Sequence, residues 1–172
     1  MRYTPIAAAI SLFVAVSASS SFGQAQMSDD PRVIALIANG KTALAAGDLD
    51  GATDRFEAAL VLDPGSTHAY LELAQVARAK GMQGQAIHYY REALERDPGN
   101  LAAISGEGEA MAEKGATAKA EQNLARLRSM CGTNCAEASE LATVIARGPL
   151  SQMKSAKATP SHDTLASAVD RN

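Results

Sequence analysis

The sequence predicts an all-α solenoid of three helix-turn-helix repeats followed by one capping helix. Three observations predict it. A glycine-centred phrase returns every 34 residues, since Gly47, Gly81 and Gly115 are evenly spaced. Apolar residues inside each unit fall at helical spacing. The apolar residues, 47% of the 172, are rich in Ala, while aromatic residues make up only 4% of the chain and Trp is absent, which favours close helix packing over sheets.

Composition also bounds function. Sixteen Lys and Arg stand against 19 Asp and Glu, a balance that argues against a nucleic-acid partner. Three His, two Cys and no dense carboxylate cluster leave little material for a metal or nucleophile site. With 13 Gly and 6 Pro the chain is not of low complexity.

Residues 1–25 read as a secretory signal peptide. Arg2 precedes an apolar stretch from Pro5 to Ala18, and small and polar residues follow to Ala25. The stretch falls short of the roughly 20 residues that a bilayer crossing needs, so cleavage is expected to leave a soluble periplasmic protein with no stable membrane insertion. Cleavage after Ala25 and cleavage after Gly23 both satisfy the small-residue rule, and an uncleaved anchor is the competing reading. Export would place the two cysteines where a disulfide persists. Without Arg2 the chain keeps 15 basic and 19 acidic side chains, so the mature protein is acidic.

Residues 26–32 form a linker and the start of the first helix, where Asp30 supplies an N-cap and Pro31 sits at the first helical position. Three repeats follow, at residues 33–66, 67–100 and 101–134. Ser66 and Asn100 are the N-caps that open the second and third units. Gly47, Gly81 and Gly115 end each first helix in the left-handed conformation, and the short turn sends the second helix back. Second-helix faces are Ala52, Phe56, Ala59 and Leu60, then Ala86, Tyr90, Ala93 and Leu94. Pro64 and Pro98 stop those helices, which makes Asp63 and Asp97 turn residues rather than catalytic acids. Phe56, Tyr70 and Tyr90 are expected in the core, and Tyr89 at its margin.

This pattern resembles the tetratricopeptide repeat, with small residues at positions 8, 20 and 27, bulky ones at 4, 7, 11 and 24, and Pro at 32. Tyr70, Leu73, Ala74, Ala86, Tyr90, Ala93 and Pro98 match in the second unit. Leu36, Gly40, Ala52, Phe56, Ala59 and Pro64 match in the first, where Asn39 and Ala43 depart. The third unit diverges most: Ile104, Gly108, Met111, Ala120 and Leu124 fit, whereas Glu107, Leu127 and Gly132 do not. The resemblance implies a right-handed superhelix. Ala138, Leu141, Ala142 and Ile145 continue the pattern until Gly148-Pro149, so residues 135–148 read as a capping helix. Residues 149–172 read as a disordered tail.

The two cysteines form Cys131-Gly132-Thr133-Asn134-Cys135, a C-x-x-x-C spacing with no strand pattern around it, unlike a catalytic dithiol. A structural disulfide pinning the cap helix is the main expectation; a thiol-disulfide switch is the alternative. His68, His88 and His162 lack helical ligand spacing, so no metal or other cofactor is expected. No nucleotide loop, nucleophile elbow or paired-acid motif appears, and no enzyme activity is expected.

Function then falls to a groove. In proteins similar to this one, positions 2, 5, 9, 12 and 13 of each repeat face the concave side. Here they include Ile34, Ile37, Lys41 and Leu44; His68, Leu71, Gln75 and Arg78; Ser105, Glu109 and Glu113. The resemblance implies an adaptor or assembly factor of the cell envelope that binds a protein or peptide there, with an acidic end of the ligand toward Lys41 and Arg78. The clamp that some such proteins use for chaperone tails is not supplied by Ile37, Lys41, Glu72, Ala102 and Gly106. Self-association through the open face of the first repeat, giving a homo-oligomer, is a third reading.

Overall fold

The computed structural model describes residues 30–133 and 135–150; residues 1–29, where a signal peptide is expected, Asn134, and residues 151–172, where a tail is expected, lie outside the described part. Seven α-helices and no strand occur among the described residues. They are α1 (Pro31–Ala45), α2 (Leu49–Leu62), α3 (Thr67–Ala79), α4 (Gln83–Arg96), α5 (Leu101–Lys114), α6 (Thr117–Cys131) and α7 (Ala136–Arg147). The expected all-α solenoid of three helical hairpins with a terminal helix is the observed fold.

Each boundary has a local cause. Asp30, Asp48, Ser66 and Asn100 accept hydrogen bonds from the backbone N–H groups of Arg32, Gly51, Ala69 and Ala103, which would otherwise have no partner. Gly47, Gly81 and Gly115 follow the first helices at φ of +80°, +74° and +94°, where a side chain would be strained. At the ends of α2 and α4, Asp63 and Asp97 each accept a hydrogen bond from the glycine two residues on, so both are turn residues.

The core fills each hairpin and continues from one hairpin to the next through the stack. Phe56 of α2 packs with Leu73 and Val76 of α3. Tyr90 and Ala93 of α4 pack with Ala103, Ala110 and Met111 of α5, and Val144 of α7 extends the same cluster. Small residues at one repeat position permit the approach: a Cβ on Gly40 would stand 2.5 Å from the Phe56 ring, and one on Gly108 2.7 Å from Leu141. Ala74, which occupies the corresponding place between them, is fully buried.

The divergent third repeat departs from the pattern for visible reasons. Leu127 is fully buried beside Ala138 and Leu141, filling space next to the cap helix that a small residue would leave empty. Glu107 is buried, yet accepts hydrogen bonds from Arg91 Nε at 2.7 Å and Asn123 Nδ2 at 3.1 Å. Gly132, at φ +85°, ends α6 where a proline is usual. Burial of Leu141 alone contributes about 1.5–3 kcal/mol, so α7 is held by packing before any covalent link is considered. Tyr70 differs from expectation in being only half-buried, with the Arg96 guanidinium 4.4 Å above its ring.

Candidate functional site: a concave groove

The first helix of a repeat buries one face against its neighbours and turns another toward the inside of the curve. Stacking α3, α5 and α7 therefore makes a trough, with a cavity of about 460 Å³. His68, Leu71, Glu72, Gln75 and Arg78 line it from α3; Ala102, Ser105, Gly106 and Glu109 from α5; Ala136, Glu137 and Glu140 from α7; Tyr90 forms the floor. Gly106 lets the Tyr90 ring lie against the α5 backbone, since a Cβ there would collide with it.

The charges of the groove are mostly spent on each other. Arg78 reaches from α3 to α5, with Nη1 2.6 Å from Glu109 Oε2 and Nη2 2.6 Å from Glu113 Oε1. Burial works against its charge, but the hydrogen bonds to Glu113 and the field of Glu109 outweigh that and hold the guanidinium above its ordinary range. Lys41 of α1 pairs with the buried Glu72 at 2.9 Å, and His68 Nε2 lies 3.4 Å from the same carboxylate. Burial and the Lys41 charge pull the imidazole below its ordinary 6.5 against the pull of Glu72, so His68 is neutral at pH 7. Burial pushes the Tyr90 phenol up to about 12. Ser105 Oγ lies 2.9 Å from Glu109 Oε1 and 3.0 Å from the Glu137 carbonyl, donating to one or the other, which ties α5 to the first turn of α7.

The structure thus brings His68, Leu71, Gln75, Arg78, Ser105 and Glu109 to one cavity. Glu113 stands at its edge through Arg78. The first-repeat residues do not line it: Ile37 and Leu44 pack partly buried against Phe56, Leu73 and Val76, and Ile34 is exposed. Lys41 touches the groove only through Glu72. An acidic ligand end placed at Lys41 and Arg78 is therefore not supported, because both cations already hold carboxylates.

Sequence reasoning missed Glu72, Gly106, Glu137, Glu140 and the floor role of Tyr90. A signal existed: Glu72, Gly106 and Glu140 share position 6 of successive units, one helical step from position 5, and the capping helix continues the same register.

Cys131 and Cys135 are bonded to each other, with Cα atoms 5.8 Å apart, between α6 and α7. Their sulfurs and a Glu137 carboxylate oxygen are the one group of potential metal donors among the described residues. With the sulfurs joined, neither is a thiolate ligand.

No curated protein matches the sequence. Residues 37–100 match the family model of the tetratricopeptide repeat. Among solved structures, the first such domain of Spaghetti, bound to an HSP90 peptide, is similar at TM-score 0.62 and 20% identity, covering 74% of this chain and 96% of that one. The type III secretion chaperone SycD of Yersinia enterocolitica, in complex with a peptide of the translocator YopD, is similar at TM-score 0.59 and 26% identity, covering 73% and 94%. An O-GlcNAc transferase mutant of Thermobaculum terrenum is similar at TM-score 0.62 and 19% identity, covering 70% of this chain but 23% of that one. With three stacked hairpins, a concave groove and a family model that matches over residues 37–100, the chain carries tetratricopeptide repeats in an all-α solenoid.

Proposed function

We propose that this protein is a non-catalytic interaction module of the bacterial cell envelope, an adaptor or assembly factor that binds a peptide or helix of a partner protein along α3, α5 and α7. The observation that carries this reading is the groove itself: half-buried Leu71 and the Tyr90 ring at its base, hydrogen-bonding groups along its walls, and three packed helices to build it. Such a surface suits an extended or helical segment. Two similar structures carry a bound peptide, which supports the same use here. The signal-like residues 1–25 support a periplasmic location.

Ala102→Trp tests the binding reading. Ala102 is exposed at the groove wall, so an indole there fills the cavity without disturbing the core. Capture from cell-envelope extract should retain a partner on the wild-type protein and lose it on the variant; identical captures would refute the groove. Periplasmic fractionation with N-terminal sequencing of the mature chain tests the location, and a protein found whole in the cytoplasm would refute it.

A further inference from the structure

Resting on the groove reading above, we infer that the segment bound there is cationic, with lysine or arginine side chains directed at the cap-helix wall. The charge pattern carries this. Around the groove, Glu72, Glu109, Glu113, Glu137 and Glu140 stand against only two permanent cations, Lys41 and Arg78. Lys41 is consumed by Glu72. Arg78 alone serves both Glu109 and Glu113, so that cluster keeps a net negative charge.

Glu137 and Glu140, on the first two turns of α7, have no cationic partner among the described residues and border the same cavity. They lie on the side of the groove opposite Gln75 and Leu71, which are uncharged. A ligand carboxylate entering here would meet negative wall charge and no free donor cation. A ligand ammonium or guanidinium would find the Glu140 carboxylate, and that of Glu137 toward the disulfide end of the wall, with an apolar floor where its methylene stem can lie. The α7 wall thus sets the sign of the ligand, while α3 and α5 supply its apolar contact.

The test is selection of a random short-peptide display library on the full mature protein, followed by binding of the selected peptides, as synthetic probes, to three variants. Glu137→Gln and Glu140→Gln remove charge at half-exposed and exposed sites without emptying space; Ala102→Trp blocks the groove regardless of charge. The expected result is enrichment of Lys and Arg over Asp and Glu. Affinity should fall about two- to fivefold with each glutamine substitution, fall as salt is raised, and vanish with Ala102→Trp. Peptides that need the groove but show no basic enrichment, or lose nothing with the glutamine variants, overturn the charge inference and leave the groove standing. Peptides indifferent to Ala102→Trp, or no enrichment at all, overturn both.

Discussion

Arg78 on α3 holds Glu113 on α5 with two hydrogen bonds, Nη2 to Oε1 at 2.6 Å and Nε to Oε2 at 3.2 Å, and so clasps the second repeat to the third. The fork of the guanidinium matches the carboxylate, and its remaining nitrogen is taken by Glu109. A residue that sequence position assigns to ligand binding is, in the fold, a tie between repeats.

Arg78→Met should therefore destabilise the protein by about 2–3 kcal/mol, because the largely buried Glu109 and Glu113 lose their only cation. Lys80→Met, whose partner Asp50 lies open to solvent, should move the same urea curve little. Equal shifts in the two midpoints would show that Arg78 is no clasp. Alanine at position 78 is for the same reason a poor reporter of ligand contact.

Tyr90 gives the fold an alkaline limit. Its phenol is raised from 10.0 to about 12, chiefly by burial, so the folded state resists ionisation that the unfolded chain accepts. The stabilisation is complete below pH 10 and is lost as pH rises toward 12, a change of about 2–3 kcal/mol across that window. Tyr90→Phe should flatten stability between pH 10 and 12 in chemical denaturation, while costing about 1 kcal/mol at neutral pH for the lost hydroxyl contact with Arg78. An unchanged alkaline slope in the variant would place the limit elsewhere.

Most of the fold is legible in the sequence because its determinants are local and periodic. Asp30, Ser66 and Asn100 announce helix starts, and Gly47, Gly81 and Gly115 announce stops. The groove is less legible because it depends on what pairs with what. Nothing in the residue types says that Arg78 spends its charge on Glu109 and Glu113, or that Ile37 turns inward to Phe56 instead of facing a ligand. Glu107 appeared as a departure at an apolar position, and only the placement of Arg91 and Asn123 around it explains how a carboxylate is buried there.

Two glycines should respond oppositely to alanine. At Gly40 the added methyl meets the fully buried Phe56 ring, and overpacking should cost about 1–3 kcal/mol in spite of the better helix propensity. At Gly84 the nearest atom is the mobile Lys114 Nζ at 3.6 Å, so the substitution should stabilise α4 by about 0.5 kcal/mol. Thermal melts of the two variants check this, and a stabilised Gly40→Ala would mean that the α1–α2 contact is looser than the structure shows.

Glu107→Leu should be within about 1 kcal/mol of the natural protein or more stable. Arg91 is exposed and returns to water, Asn123 Nδ2 keeps the Ile104 carbonyl at 3.2 Å, and leucine refills the volume. Glu107→Ala leaves a void and should cost about 2 kcal/mol. If the leucine variant proves as unstable as the alanine variant, the Arg91–Glu107–Asn123 set holds α4, α5 and α6 together and is more than a tolerated substitute for packing.

The disulfide joins the end of α6 to the start of α7, beside the groove wall, which raises the question of whether opening it would release a ligand. Packing argues that it would not. Leu141 and Ala138 are buried against Ile104, Leu124 and Leu127, and Val144 joins the central cluster, so α7 is docked along most of its length independently of the sulfurs. Closing a five-residue loop restricts the unfolded chain by about 2 kcal/mol and adds little to the folded contacts. A Cys131→Ser, Cys135→Ser double variant should therefore melt at lower temperature by about that free energy, yet bind the selected peptides unchanged well below its midpoint. Loss of binding in the still-folded variant, followed by circular dichroism, would instead make the pair a redox switch acting on Glu137 and Glu140 through the first turn of α7.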